Sequence, residues 1–149
     1  MAIAYKVSID AQDPHSLADF WAEALRFERE DHSALVEQMA HSGAATDEQV
    51  TKVHGRYAWR NFAGIRDPDD PYDAFSGVGQ GRRILFQGVP EPKTVKNRVH
   101  LDLHVGEDQI DTEVERLRQL GASVIGGGQQ GPNRWVVMSD PEGNEFCVA

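Results

Sequence analysis

The sequence predicts an α+β domain made of two βαβββ modules. Three observations predict it: a strand-then-helix pattern opens each half, strands close each half, and the breaker run Pro90-Glu91-Pro92 separates the halves. The size agrees, since 149 residues with 40% hydrophobic content bury most of their unfolded apolar surface without covalent staples.

From Ala4 to Ile9 apolar and polar residues alternate, with Tyr5, Val7 and Ile9 on one side and Lys6, Ser8 and Asp10 on the other, which is the period of a half-buried strand. Asp13-Pro14 then supplies an N-cap and a first-turn proline. Leu17, Phe20, Trp21, Ala24 and Leu25 recur at helical spacing, so an amphipathic helix runs to about Arg26 and puts Phe20 and Trp21 in the core. Ser33 to Ala40 reads as a short helix, and Thr46-Asp47-Glu48-Gln49 as a capping box that opens another toward His54. Arg56 to Ile65 reads as extended, while Asp67-Pro68-Asp69-Asp70-Pro71 and Ser76 to Gly81 are turn chemistry. Residues of about 31–81 therefore read as an irregular, partly helical insertion in the first module, of the kind that can cover a cavity as a lid. The strand Arg82 to Val89 closes module one at 1–89, with a hinge at 90–97 and module two at 98–149 of one domain.

In module two, Val99, Leu101, Leu103 and Val105 alternate with Arg98, His100, Asp102 and His104. Gln109 to Leu120 carries Ile110, Val114, Leu117 and Leu120 at helical spacing and stops at Gly121. Ala122 to Ile125 reads as a strand, Gly126 to Gly131 as a hairpin loop, and Trp135 to Met138 as a strand. Asp140 to Asn144 reads as a tight turn before a last strand, Glu145 to Val148.

Twenty-four acidic against fifteen basic side chains give a net charge of −9, which repels nucleic acid and anionic membranes at long range, so neither is an expected partner. The one cysteine, Cys147, forms no internal disulfide, no stretch is long and apolar enough to cross a bilayer, and the N-terminus lacks a secretory signal pattern. A cytoplasmic location is the expectation.

The segment Pro90-Glu91-Pro92-Lys93-Thr94-Val95-Lys96-Asn97-Arg98-Val99-His100-Leu101-Asp102-Leu103, the helix exit Leu120-Gly121-Ala122, and Asp140-Pro141-Glu142-Gly143-Asn144-Glu145-Phe146-Cys147 resemble the glyoxalase-like branch of the vicinal-oxygen-chelate superfamily. Its relatives include glyoxalase I, extradiol dioxygenases, fosfomycin-resistance transferases and bleomycin-binding proteins. The resemblance implies paired βαβββ modules forming curled mixed sheets around a central cavity, and a homodimer. It implies no single activity. In the metal-dependent relatives four inward side chains hold a divalent ion, and the matching positions here are Lys6, Gln87, His100 and Cys147. Only His100 is of the expected ligand type. An ammonium has no lone pair, a carboxamide is a weak donor, and one thiolate with one imidazole is half a tetrahedral set. A divalent metal is therefore not expected and the cofactor stays open; if an ion binds, His100 is its ligand. Three donors at His100, Asp102 and His104 share a strand face but are spread too widely to converge readily on one ion.

His100, Asp102 and His104 form the most concentrated polar row, facing either a cavity or water, and a histidine there can act as acid or base near neutrality. Trp59 and Trp135 are candidate walls for a flat ligand, and Lys6, Gln87 and Cys147 candidate ligand-facing positions, although Cys147 also reads as simple packing. Gly126-Gly127-Gly128 is no phosphate cradle, because no helix follows it. Arg82, Arg83, Lys93, Lys96 and Arg98 either attract an anion or pair with surface acids. The leading functional expectation is a metal-independent small-molecule binding protein of resistance or sequestering type. The alternatives are a lyase, isomerase or hydrolase-like enzyme using His100 or His104 as general base on a small oxygenated substrate, with a glyoxalase- or dioxygenase-like lyase or oxidoreductase as the class the resemblance implies for an enzyme, and a homodimeric interaction module.

Overall fold

The computed structural model describes all of residues 1–149, a mixed α+β chain of three helices and ten strands. It divides into two compact units, Met1–Glu91 and Pro92–Ala149.

The first unit runs β1 (Val7–Ala11), α1 (Pro14–Leu25), β2 (Glu28–Arg29), α2 (Ser33–Ser42), β3 (Val50–Val53), β4 (Arg56–Trp59), β5 (Phe62–Arg66) and β6 (Arg83–Gly88). Its main sheet has the order β1-β6-β5-β2, with β1 parallel to β6. The second unit runs β7 (Asp102–Leu103), α3 (Ile110–Leu120), β8 (Ser123–Gln130), β9 (Asn133–Ser139) and β10 (Glu145–Val148), in the order β7-β10-β9-β8, with β7 parallel to β10. Set α2, β3 and β4 aside, and both units show strand, helix and three strands in the spatial order first, fourth, third, second. The internal repeat is one of topology.

Helix α1 forms where its signals lie. The Asp13 carboxylate accepts the Ser16 N–H at 3.1 Å and the Ser16 hydroxyl at 2.6 Å, and Arg26 ends the helix in the left-handed region at φ 56°. Leu17, Phe20 and Trp21 are buried with Ala63 and Ile65 of β5 and Ile84 and Phe86 of β6. Phe20 and Trp21 meet edge to face, with ring centroids 5.3 Å apart. Each large side chain removed from water here contributes about 1.5–3 kcal/mol. Helix α3 does the same for the second unit, burying Ile110 and Leu117 in the core that holds Met138, Phe146 and Val148. No helix is long and apolar enough to cross a membrane.

Several local expectations are corrected. The first strand begins at Val7, not Ala4, because its ladder partner β6 offers Ile84 to Gly88 against Val7 to Ala11, and Tyr5 is exposed ahead of it. Thr46 to Gln49 closes a turn instead of opening a helix: the Gln49 side chain does reach back to the Thr46 N–H at 2.9 Å, but β-branched Val50, Thr51 and Val53 follow and pair with β4. His54 (φ 51°) and Gly55 (φ 77°) make the turn of that hairpin, both left-handed as a type I′ turn requires. The insertion is narrower than 31–81, since β5 within it is the third strand of the module sheet. The strand at 98–105 shrinks to Asp102–Leu103, because the ladder to the short β10 begins only where Cys147 N–H meets the Leu101 carbonyl at 3.0 Å, and Val99 is exposed.

The largest correction concerns Gly126 to Gly131. Strand β8 runs through Gly126, Gly127 and Gly128, which pair with Val137, Val136 and Trp135, and the turn comes only at Gly131 with φ 57°. The glycines admit a neighbour: a Cβ on Gly128 would sit 2.4 Å from Cζ2 of Trp135, whose ring lies where that side chain would be. Gly128→Ala is accordingly expected to cost about 1–3 kcal/mol in urea denaturation and to shift the Trp135 fluorescence. A change within about 0.5 kcal/mol, as for an open surface loop, contradicts this packing.

Candidate functional site

In the first unit, alternation along β6 turns Ile84 and Phe86 to the core, leaving Arg83, Leu85 and Gln87 on the opposite face beside Arg66, Gly64 and Phe62 of β5. The insertion adds walls to that face. A cleft of about 480 Å³ results, with Trp59, Phe62, Val78 and Leu85 as its apolar lining. Its polar groups are His32, Gln49, Asn61 and Arg83. The volume suits a drug-sized molecule, and a mostly apolar wall with a few convergent polar groups is the usual make-up of such sites. A second cleft of about 350 Å³ shares His32 and Phe62 and is more polar, with His15, Arg29, His54 and Arg56 among its lining.

Glu30, just past β2, lines the more polar cleft, with its side chain fully buried. Arg83 donates from Nε at 2.6 Å and from its second terminal nitrogen at 2.8 Å, the Gly79 N–H donates at 2.8 Å, and His32 Nε2 lies 2.9 Å from Oε2. Burial alone would raise the carboxyl pKa, but these hydrogen bonds outweigh it and hold Glu30 at about 2, ionised at any ordinary pH. An ionised carboxylate only accepts, so His32 donates from Nε2 and, when neutral, carries its lone pair on Nδ1. Room for the carboxylate comes from Gly64: a Cβ there would lie 1.9 Å from Glu30 Oε2.

His15 of α1 ties the hairpin to the sheet. The Trp59 carbonyl lies 2.7 Å from Nε2 and the Arg29 guanidinium 3.0 Å from Nδ1. A carbonyl cannot donate and a guanidinium cannot accept, so the ring is the neutral Nε2–H tautomer. Burial, first, and the nearby Arg29 charge lower its pKa below 6.5, against the raising effect of the Trp59 carbonyl. Asp19 pairs with both Arg29 and His54, and Asp31 with Arg56, so most charge around the polar cleft is matched.

The second unit carries the polar row. His100 Nδ1 lies 3.0 Å from Asp102 Oδ1, with the two side chains 41% and 49% exposed. Potential donor atoms of His100, Asp102 and Cys147 lie within 4.8 Å of one another, whereas His104 is exposed and outside this group. Burial and the adjacent Asp102 carboxylate push the Cys147 thiol up.

Of the other positions singled out from sequence, Lys6 is exposed ahead of β1, Gln87 is exposed on β6, and Trp135 lies against Gly128 on β9. Trp59 and Arg83 line the apolar cleft. The basic residues pair with acids: Arg82 with Asp67 and Asp70, Arg83 with Glu30, Lys93 with Glu145. His15, Glu30 and His32 carried no sequence signal of their own. The clue was Gly64 inside an otherwise good strand, a mark of something approaching the backbone closely. An ammonium at 6 and a carboxamide at 87 do not fit the divalent ion of the metal-dependent relatives.

The model of the glyoxalase-like domain family matches residues 6–149. Among solved structures, the chain is similar to the fosfomycin resistance protein FosX from Mesorhizobium loti, at 10% identity over 99% of this chain and 90% of that one, with a TM-score of 0.61. It is also similar to the bleomycin-binding protein from Streptomyces verticillus, solved with copper(II)-bleomycin, at 16% identity over 100% and 96% of the chains and a TM-score of 0.53. A glyoxalase/bleomycin resistance protein/dioxygenase family enzyme from Burkholderia phytofirmans PsJN shares 16% identity over 96% and 94%, with a TM-score of 0.56. No curated protein matches the sequence.

The His15 contacts set a pH dependence. Folding lowers this pKa, so their contribution is complete above 6.5 and is lost as pH falls through the lowered value. The Glu30 contribution is complete above 4.5 and is lost only toward about 2, so it does not contribute to the slope near pH 6. Urea midpoints are expected to fall between about pH 7 and about pH 5, with His15→Phe flattening that slope and costing about 1–3 kcal/mol at neutral pH. An NMR titration placing His15 at or above 6.5 contradicts the assignment.

Proposed function

The chain belongs to the glyoxalase-like domain family, and from that premise we propose that it is a small-molecule binding protein of resistance or sequestering type, holding its ligand in the cleft of the first unit without a divalent ion. The observation that carries the reading is the cleft itself. Four apolar side chains, Trp59, Phe62, Val78 and Leu85, supply contact area, and His32, Gln49, Asn61 and Arg83 supply a few directional contacts. The donor chemistry of Lys6, Gln87 and Cys147 supports the metal-free part of the reading.

A second reading has one observation in its favour. The 3.0 Å contact between His100 and Asp102 is that of a carboxylate orienting an imidazole, as a lyase or isomerase using a histidine base would need. Both groups are well exposed, and such a pair in water is worth little. Homodimer formation, a cytoplasmic location and roles for His104, Trp135, Lys6 and Gln87 are further proposals of the same family reading.

Screening aromatic small molecules by tryptophan fluorescence and calorimetry is expected to find a binder whose affinity falls at least about tenfold, or ~1.4 kcal/mol, in Trp59→Ala and in Leu85→Arg. Unchanged affinity in both variants places the ligand elsewhere and removes the reading. Protein purified without chelator is expected to hold divalent metal well below one equivalent. A stoichiometric ion lost in His100→Ala overturns the metal-free part.

A further inference from the structure

His32 lines both clefts and is hydrogen-bonded to the buried Glu30, which lines the more polar one. We propose that this pair is the proton acceptor of the apolar cleft, and that the ligand is a flat molecule with an acidic hydroxyl, of phenol or enol type, held as its oxyanion. The inference rests on the small-molecule reading of the same cleft.

Glu30 and Arg83 neutralise one another, His32 is the remaining ring at the cleft wall, and its Nε2 is committed to the carboxylate. No protein group engages Nδ1. When the ring is neutral, that atom is a lone-pair acceptor on a side chain only 11% exposed that lines the cleft together with Trp59, Phe62, Val78 and Leu85. A ligand that only accepts hydrogen bonds gains nothing from it, and a hydroxyl donor gains most. If the proton moves, the ligand O–H bond breaks, an N–H bond forms at Nδ1, and the electron pair stays on the ligand oxygen. The products are an imidazolium against the Glu30 carboxylate and an oxyanion in a cleft that Arg83 also lines. Two positive and two negative charges then stand together, with no co-reactant required. The apolar walls strengthen these attractions relative to water.

The exposed pair of His100 and Asp102 has the same atoms but no shield, with side chains 41% and 49% exposed against 11% and 0% for His32 and Glu30. Other charged or titratable groups near His32 are Asp31 beside it, Arg83 of β6, His15 and Arg29 at the adjoining cleft, and His54, Arg56 and Tyr57 of the hairpin. Asp31 is matched by Arg56, and Arg29 by Asp19. His15 has both ring nitrogens engaged by protein.

The test uses 4-nitrophenol, whose oxyanion absorbs at longer wavelength than its neutral form, at a pH well below its own pKa. Binding is read by quenching that Trp59→Phe abolishes. The expected result is a bound probe whose ratio of oxyanion to neutral form exceeds that of free probe by at least ~tenfold, which is one pKa unit. His32→Gln, which keeps an N–H for Glu30 but is no base, is expected to bind the probe in neutral form. The methyl ether 4-nitroanisole has the same shape without the hydroxyl and is expected to bind the parent protein ~tenfold more weakly; it tests the idea even if the variant does not fold. A bound probe that stays neutral, an oxyanion band that persists in folded His32→Gln, or equal affinity for the ether overturns this inference and leaves the small-molecule reading standing. Absence of quenching by either probe, with another aromatic binder found in the cleft, overturns the ligand class alone. Absence of any cleft binder removes both readings.

Discussion

The first unit depends on one buried carboxylate. Glu30 has no exposed surface and accepts from Arg83, His32 and the Gly79 N–H. Stripping one partner from a buried pair of this sort costs about 3–5 kcal/mol, because the other charge is left without water or compensation. Besides the neighbouring His32, the contacts come from one distant stretch: Arg83 is 53 residues from Glu30 and Gly79 is 49. Satisfying one side chain therefore fixes β6, the β5–β6 loop and the start of α2 together, and the apolar cleft is bounded by these same pieces.

The cost of that arrangement is met by small residues. Gly64 and Gly79 leave room where a methyl group would collide with Glu30 or with Arg66, and Arg66 in turn lies over the Tyr72 ring at 3.8 Å and pairs with Glu28. Polar and apolar demands are kept on opposite faces of one sheet. The α1 side is closed by Trp21, Leu17, Ile65 and Phe86, and the other side carries the charged hub and the cleft. A strand period of two allows this separation within single strands such as β6, where Ile84 and Phe86 face one way and Arg83 and Leu85 the other.

Much of the architecture is legible in the sequence because it is local. Asp13-Pro14 with the Leu17 to Leu25 stripe marks α1, Gly121 ends α3, and the topological repeat follows from the order of elements. What is misread depends on partners far along the chain. The capping-box residues Thr46 and Gln49 do contact each other, yet pairing of Val50 to Val53 with Arg56 to Trp59 decides the segment. Three consecutive glycines read as a loop until Trp135 is seen lying on one of them. The site divides the same way. Trp59 is visible as an aromatic outside the core stripe and Arg83 as one of a basic group, whereas Glu30 and His32 are ordinary polar residues until tertiary structure assembles them.

The central claim is that the ligand occupies the cleft beside Glu30 and is recognised by His32 and Trp59. Its most direct measurement is an NMR titration with a bound aromatic ligand, following the Trp59 indole N–H and the six histidine rings of the chain. Saturable shifts concentrated at Trp59 and His32, with His100 and His104 unmoved, are the predicted result. Shifts confined to His100 and the resonances of Asp102 and Cys147 would contradict it.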